Sequence, residues 1–184
     1  EGPTRTFDGK TWLESPRSLQ VELSRIVSNR FELTPRIANE MIARQHPTGQ
    51  ATRARRILAE KMLASYSEEV LGIEGYGPER AFFLALLQST GIHKPASRIS
   101  SAFGPPTSEE WLPVWRALAA SFESTRSGKK TFEEVLEPLR IEPFGLKNGS
   151  LPIIGLAMYF SKIEQVGLYE YGSLVLDFDD AIIE

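Results

Sequence analysis

PERAFFLALLQSTG, residues 78–91, is the stretch from which the fold of this chain is read. Proline stands at a helix start and glycine just past its end, each where that residue costs least. Between them Ala81 to Leu87 is apolar on every side of a helical wheel. A helix without a polar face has to be covered on most sides. The stretch therefore predicts a helix over 78–90 at the centre of a mainly helical fold.

Toward the N-terminus, Gly72 to Gly77 reads as a turn and Leu71 to Ile73 as a short strand. A helix is predicted over roughly 49–66, after the turn Pro47-Thr48-Gly49, with Ala51, Ala54, Ile57, Leu58 and Met62 on its inner face. Thr34-Pro35 starts another helix, roughly 35–45, with Ile37, Met41 and Ile42 inward. Ser15-Pro16 starts the first, to about Asn29, with Leu19, Val21, Leu23, Ile26 and Val27 as its apolar side. Residues 1–14 read as a flexible segment, and the start at Glu1-Gly2-Pro3 suggests a piece of a longer chain.

Toward the C-terminus, 94–107 is rich in Pro, Ser and Gly and reads as a linker. Beyond it lie a helix at 108–126, a short strand at 129–132 and a helix at 132–139 opened by the capping-box pair Thr131 and Glu134. After a turn at Phe144 to Gly149 comes a helix at 150–163. Strands at 165–170 and 173–178 then form a hairpin about Tyr171-Gly172. This is the element order of a winged helix-turn-helix. The expected fold is thus mainly α with a small β-hairpin. It has two helical units, 15–93 and 108–184, and the second, or both, are of winged helix-turn-helix type.

The chain has 184 residues, no cysteine and two histidines, His46 and His93. Disulfides and thiolate metal sites are excluded, and a cytoplasmic protein is expected. No apolar run reaches the roughly 20 residues of a membrane span. The net charge of −3 hides a division: residues 16–66 hold nine Lys/Arg against four Glu, and residues 106–184 hold seven against thirteen Asp/Glu. The two ends should meet different partners.

The basic end concentrates at Gln50, Thr52, Arg53, Arg55 and Arg56, in the position of a groove-entering helix, with Arg36 and Arg44 upstream. Arginine pairs with guanine edges and phosphates, and Gln and Thr add hydrogen bonds. These seven are the candidate DNA contacts, through residues 35–60. The alternative is a solvated face, or arginines paired with acidic neighbours. Lys147 and Asn148, next to a helix start, are a secondary candidate for phosphate, against a plain turn. The helix that follows, LPIIGLAMYF at 151–160, has no charge to show a groove and reads as buried. Gly72 to Gly77 lacks the Gly-Lys-Ser/Thr ending of a phosphate loop. Asp177, Asp179, Asp180 and Glu170 could hold a metal or act as acid and base, but a polar strand end, with Asp179 or Asp180 capping a helix, accounts for them better. No catalytic set, metal site or cofactor is expected.

Several stretches together, LTPRIANEMIAR (33–44), ATRARRILAEKML (51–63), LGIEGYGPERAFFLALLQSTGIH (71–93) and PFGLKNGSLPIIGLAMYF with VGLYEYGSLV (143–175), carry a further signal. Across most of 19–178 the chain resembles a segment of the very large bacterial P-loop ATPases of phage-defence loci, of the BREX and Pgl type. The resemblance implies an accessory region beside an ATPase core, in a system acting on DNA. The phosphate-binding motif of those ATPases is not in these residues, so no catalytic residue is carried over. The expected function is a non-catalytic accessory module of a larger ATPase, binding DNA through its basic helix. The alternative is a protein-interaction or scaffold module joining the ATPase to partners. A small enzyme using the C-terminal carboxylates is a third.

Overall fold

The computed structural model describes residues 4–7, 10–13, 16–170 and 173–174. It is mainly helical. The chain opens with a hairpin, β1 (Thr4–Phe7) against antiparallel β2 (Lys10–Leu13), in the register Thr4 to Leu13 and Phe7 to Lys10. These residues were expected to be flexible. The overlooked signal is Asp8-Gly9 between two runs of strand formers, the strongest short-range cue for a two-residue hairpin.

Helix α1 (Pro16–Arg30) starts at the predicted proline. Its apolar residues do not enter the core: Leu19, Val21, Leu23, Ile26 and Val27 are 42–64% exposed. The helix touches β2, and at its end Arg30 pairs with Glu142 at 3.3 Å.

The helix expected over 35–45 does not form; residues 31–48 are turns. Their backbone donors are taken by partners outside any helix. Leu33 N–H donates to Pro143 O at 3.1 Å, and the Thr34 hydroxyl donates to Phe144 O. Arg36 N–H donates to the Glu110 carboxylate at 2.7 Å. The Asn39 side chain accepts from Met41 and Ile42 N–H at 3.0 and 3.3 Å, the local competition by which Asn interrupts a helix. With that helix missing, the first half lacks the helix pair of a helix-turn-helix.

Helix α2 (Gly49–Ala64) is capped by Thr48, whose hydroxyl accepts from Ala51 N–H at 3.3 Å. Ala51, Ala54, Leu58 and Met62 are buried as the spacing predicts. Residues 71–73 are not a strand. A single 3₁₀ turn spans Glu69–Gly72, with Val70, Leu71 and Gly72 at φ 52°, 53° and 59°. Side chains with a Cβ disfavour that region by about 1–2 kcal/mol each. Leu71 is completely buried there.

Helix α3 (Pro78–Phe83) continues as a π-helical turn, Leu84–Gln88, and the chain leaves it through Gly91 at φ 73°. Phe82, Phe83, Leu86 and Leu87 are buried, but Leu84 is 41% exposed. The 94–107 segment is more than a connection. It contains α4 (Ile99–Ala102), and its Ala102 and Phe103 are core residues. Lys94 N–H donates to Ala102 O and Gly104 N–H to Ile92 O, both at 2.9 Å, closing it as a loop. Buried His93 sits between the rings of Phe83 and Phe103, at centroid distances of 5.5 and 5.2 Å. Its backbone N–H donates to Leu87 O at 3.2 Å at the helix end, and its Nε2 donates to Tyr66 O at 2.9 Å, so the residue also joins two loops. Burial holds its pKa below the usual imidazole value.

The second half keeps the predicted order. A 3₁₀ turn (Glu109–Trp111) leads into α5 (Leu112–Glu123) and another (Ser124–Ser127) leaves it. No strand forms at 129–132. The chain runs extended into α6 (Phe132–Arg140), opened by the predicted box: Thr131 Oγ1 accepts from Glu134 N–H at 3.1 Å, and the Glu134 carboxylate accepts from Thr131 N–H at 2.6 Å. Thr131→Ala is expected to lower stability by about 1 kcal/mol, the usual worth of an N-cap hydroxyl. Urea unfolding of the two proteins checks it, and equal midpoints would show that the hydroxyl contributes nothing.

Helix α7 (Leu151–Ser161) is buried at Leu151 and from Ile153 to Phe160. It touches α2, α4, α5 and α6, whereas α3 packs chiefly on α2. The centre of the fold is therefore α7 and not the 78–90 helix. Gly155 lets α6 close on it, since a Cβ there would stand 2.6 Å from Phe132 and 2.9 Å from Leu136. The hairpin follows as β3 (Tyr169–Glu170) against antiparallel β4 (Ser173–Leu174), pairing Tyr169 with Leu174 and Glu170 with Ser173. Residues 165–168 are not strand. Residues 171–172 and 175–178 of the predicted hairpin lie outside the described residues. Buried side chains of both halves form one hydrophobic cluster, from Ile42 to Phe160.

Candidate nucleic-acid interface

The two candidate groups of cations, one in each half, meet. The turn that precedes α7 lies against the turn that precedes α2: Gly149 N–H donates to Arg44 O at 3.0 Å, and Arg55 Nη1 donates to Asn148 O at 2.8 Å. The approach is close because position 149 has no side chain. A Cβ there would stand 2.1 Å from Ile42 O and 3.1 Å from Arg44 O. Exposed Lys147 and half-buried Asn148 are thereby carried to the same junction as Arg44 and Arg55.

The arginines of α2 do not share one environment. Gln50, Thr52 and Arg53 are exposed, while Arg55 and Arg56 are half-buried. Arg56 Nε lies 3.1 Å from the Glu60 carboxylate one turn on, so part of its charge is met within the helix. Among the described residues, Arg55 has the Asn148 carbonyl and no carboxylate. Removal from water depresses its pKa. Asn148 Oδ1 is buried, with no hydrogen-bond partner among the described residues. Thr52, Arg53, Arg55, Arg56, Ile57 and Glu60 line a recess of about 700 Å³ along the side of α2. Arg36 is exposed, with the Glu110 carboxylate on its backbone N–H, so a negative group already stands beside it.

Two features of the site were missed in the sequence. The pairing of Arg56 with Glu60 is an i, i+4 relation and was visible there. The union of Arg55 with Asn148 joins residues 93 apart and has no local signal. Gly72 to Gly77 is the turn predicted, with Gly75 at φ 76° and Tyr76 97% exposed. Asp177, Asp179 and Asp180 lie outside the described residues. Among the described residues, no three acidic or histidine side chains gather where they could hold a metal. Nor is any helix among them long and apolar enough to cross a membrane.

Fold and site together define a mainly α domain whose two halves share one core and one basic junction. Comparison with protein families, curated proteins and solved structures finds no match to this chain.

Proposed function

We propose that this chain is a non-catalytic accessory module of a larger ATPase and that it binds nucleic acid through the basic junction. The observation that carries the binding is the Arg55 guanidinium. It is half-buried, hydrogen-bonded to a carbonyl and, among the described residues, unmatched by a carboxylate, at the wall of a recess that also holds Arg53. An uncompensated, partly desolvated cation favours an arriving anion, and a phosphate offers the fork of acceptors that arginine fits. Arg44, Lys147, Gln50 and Thr52 lie around it as positioning contacts. The ATPase rests on the resemblance of residues 19–178 to the phage-defence proteins. The order α5, α6, α7 and hairpin supports reading the second half as a winged helix, here serving as a scaffold because its α7 is buried.

The test is a titration of wild type and an Arg44→Ala/Arg53→Ala double variant with DNA between 50 and 200 mM salt. Each phosphate contact releases about 0.9 counterion from duplex DNA, so affinity falls with salt. Each lost contact flattens the logarithmic slope by about 1. Equal slopes for both proteins, or no binding at low salt, would remove the reading.

One observation favours a second reading, a docking module. The exposed Leu19, Leu23 and Val27 of α1 border a shallow apolar groove with Gln20 and Ser24. Such a stripe on an exposed helix is the chemistry of a protein interface.

A further inference from the structure

The basic recess is shaped for a strand that can bend into it. We propose that it takes single-stranded nucleic acid, with one backbone phosphate held by the Arg55 guanidinium. The proposal rests on the nucleic-acid reading above and specifies its ligand.

Three observations carry it. First, α2 does not stand free as a helix that enters a groove must. One side is packed on the core through Ala51, Ala54, Leu58 and Met62, and the Asn148 carbonyl is bonded to a second side through Arg55. The 31–48 segment, where the helix that would have laid it across a duplex was expected, is a set of turns. Second, the cation with the least compensation is the half-buried one. The phosphates of a duplex lie on a stiff convex surface, which fits a half-buried cation less readily than an exposed one such as Arg53. A single strand has no such stiffness and can turn one phosphate inward. Third, the recess is open and its described lining is mixed. Half-buried Ile57 offers an apolar surface to sugar or base, and the Thr52 hydroxyl lies on the same lining. The Glu60 carboxylate is the unfavourable group there, and Arg56 at 3.1 Å engages it.

Arg55 is the anchor in this arrangement. Asn148 O takes one N–H of its guanidinium and fixes the plane, leaving the other donors for phosphate oxygens. Binding should therefore depend on the fork and not on charge alone.

Fluorescence anisotropy with a labelled 12-nucleotide DNA, as a single strand and as the same sequence in duplex, tests this at low salt. The expected result is tighter binding of the single strand. Arg55→Gln should weaken it roughly tenfold, the scale of a lost charge-assisted hydrogen bond, and weaken duplex binding less. Arg55→Lys should restore only part of the loss. Circular dichroism shows whether Arg55→Gln is folded. If it is not, Arg55→Lys carries the test by itself, with a smaller loss that falls more on the single strand than on the duplex. Duplex binding as tight as the single strand would overturn the proposal, as would unchanged single-strand affinity in both variants, while leaving the broader reading standing. A nucleoside monophosphate that competes as well as the strand, at equal phosphate concentration, would overturn the strand as ligand. No binding of either DNA would remove the broader reading as well.

Discussion

Leu86→Ala should cost about 2–5 kcal/mol, the range for deleting a buried leucine side chain and leaving a cavity. Leu86 has no exposed surface and stands in the π-helical turn that continues α3, within the single core cluster. Neighbouring structure can relax only partly into such a gap, because packed interiors have little free volume. Domains are typically stable by about 5–15 kcal/mol, so the loss is a large share of the whole. Leu84→Ala, two residues earlier and 41% exposed, is the control and should cost under about 1 kcal/mol. Chemical denaturation of the two variants and wild type checks both. Equal costs would mean that the π turn does not set Leu86 and Leu84 on opposite sides of the packing.

Gly149→Ala should act on stability and on binding at once. The added Cβ would meet the backbone carbonyls of Ile42 and Arg44, and backbone yields far less readily than a side-chain end. Overpacking of this kind costs about 1–3 kcal/mol. Relief requires the two turns to separate, and separation stretches the bonds from Gly149 N–H to Arg44 O and from Arg55 to Asn148 O. DNA affinity should fall even where the variant remains folded, although no charge has been removed. Gly49→Ala is the control: nothing lies within 4 Å of a Cβ there, and its helical position favours alanine. Denaturation midpoints with DNA titrations at one salt concentration decide the matter. Unchanged affinity in a folded Gly149→Ala would show that the junction does not shape the basic surface.

The helices that could be read in the sequence carry their signals within a few residues. The proline starts of α1 and α3, the cap at Thr48, the box at Thr131 and Glu134, and the apolar run of α7 are all local. What misled was also local. Thr34-Pro35 looks like a helix start, yet Pro143 O, Phe144 O and the Glu110 carboxylate accept from Leu33, Thr34 and Arg36 from far along the chain. Leu71 to Ile73 looks like strand, yet Leu71 is buried with a left-handed backbone. The apolar side of α1 has core periodicity, but periodicity says only that a face prefers cover. It does not say what covers it.

The candidate site divides the same way. The sequence by itself determined the mainly helical class, most helix boundaries, the hairpin at the C-terminal end and a cluster of arginines on one helix, because each depends on neighbours three or four positions away. Only the tertiary structure decided that α7 is central and that residues 31–48 form no helix. It also decided which arginine is half-buried without a carboxylate, and that Lys147 and Asn148 join it. Those outcomes rest on contacts between residues roughly a hundred positions apart, such as Arg55 with Asn148 and Gly149 with Arg44. Their energy exists only once the core has brought the two turns together, and no local pattern encodes that distance.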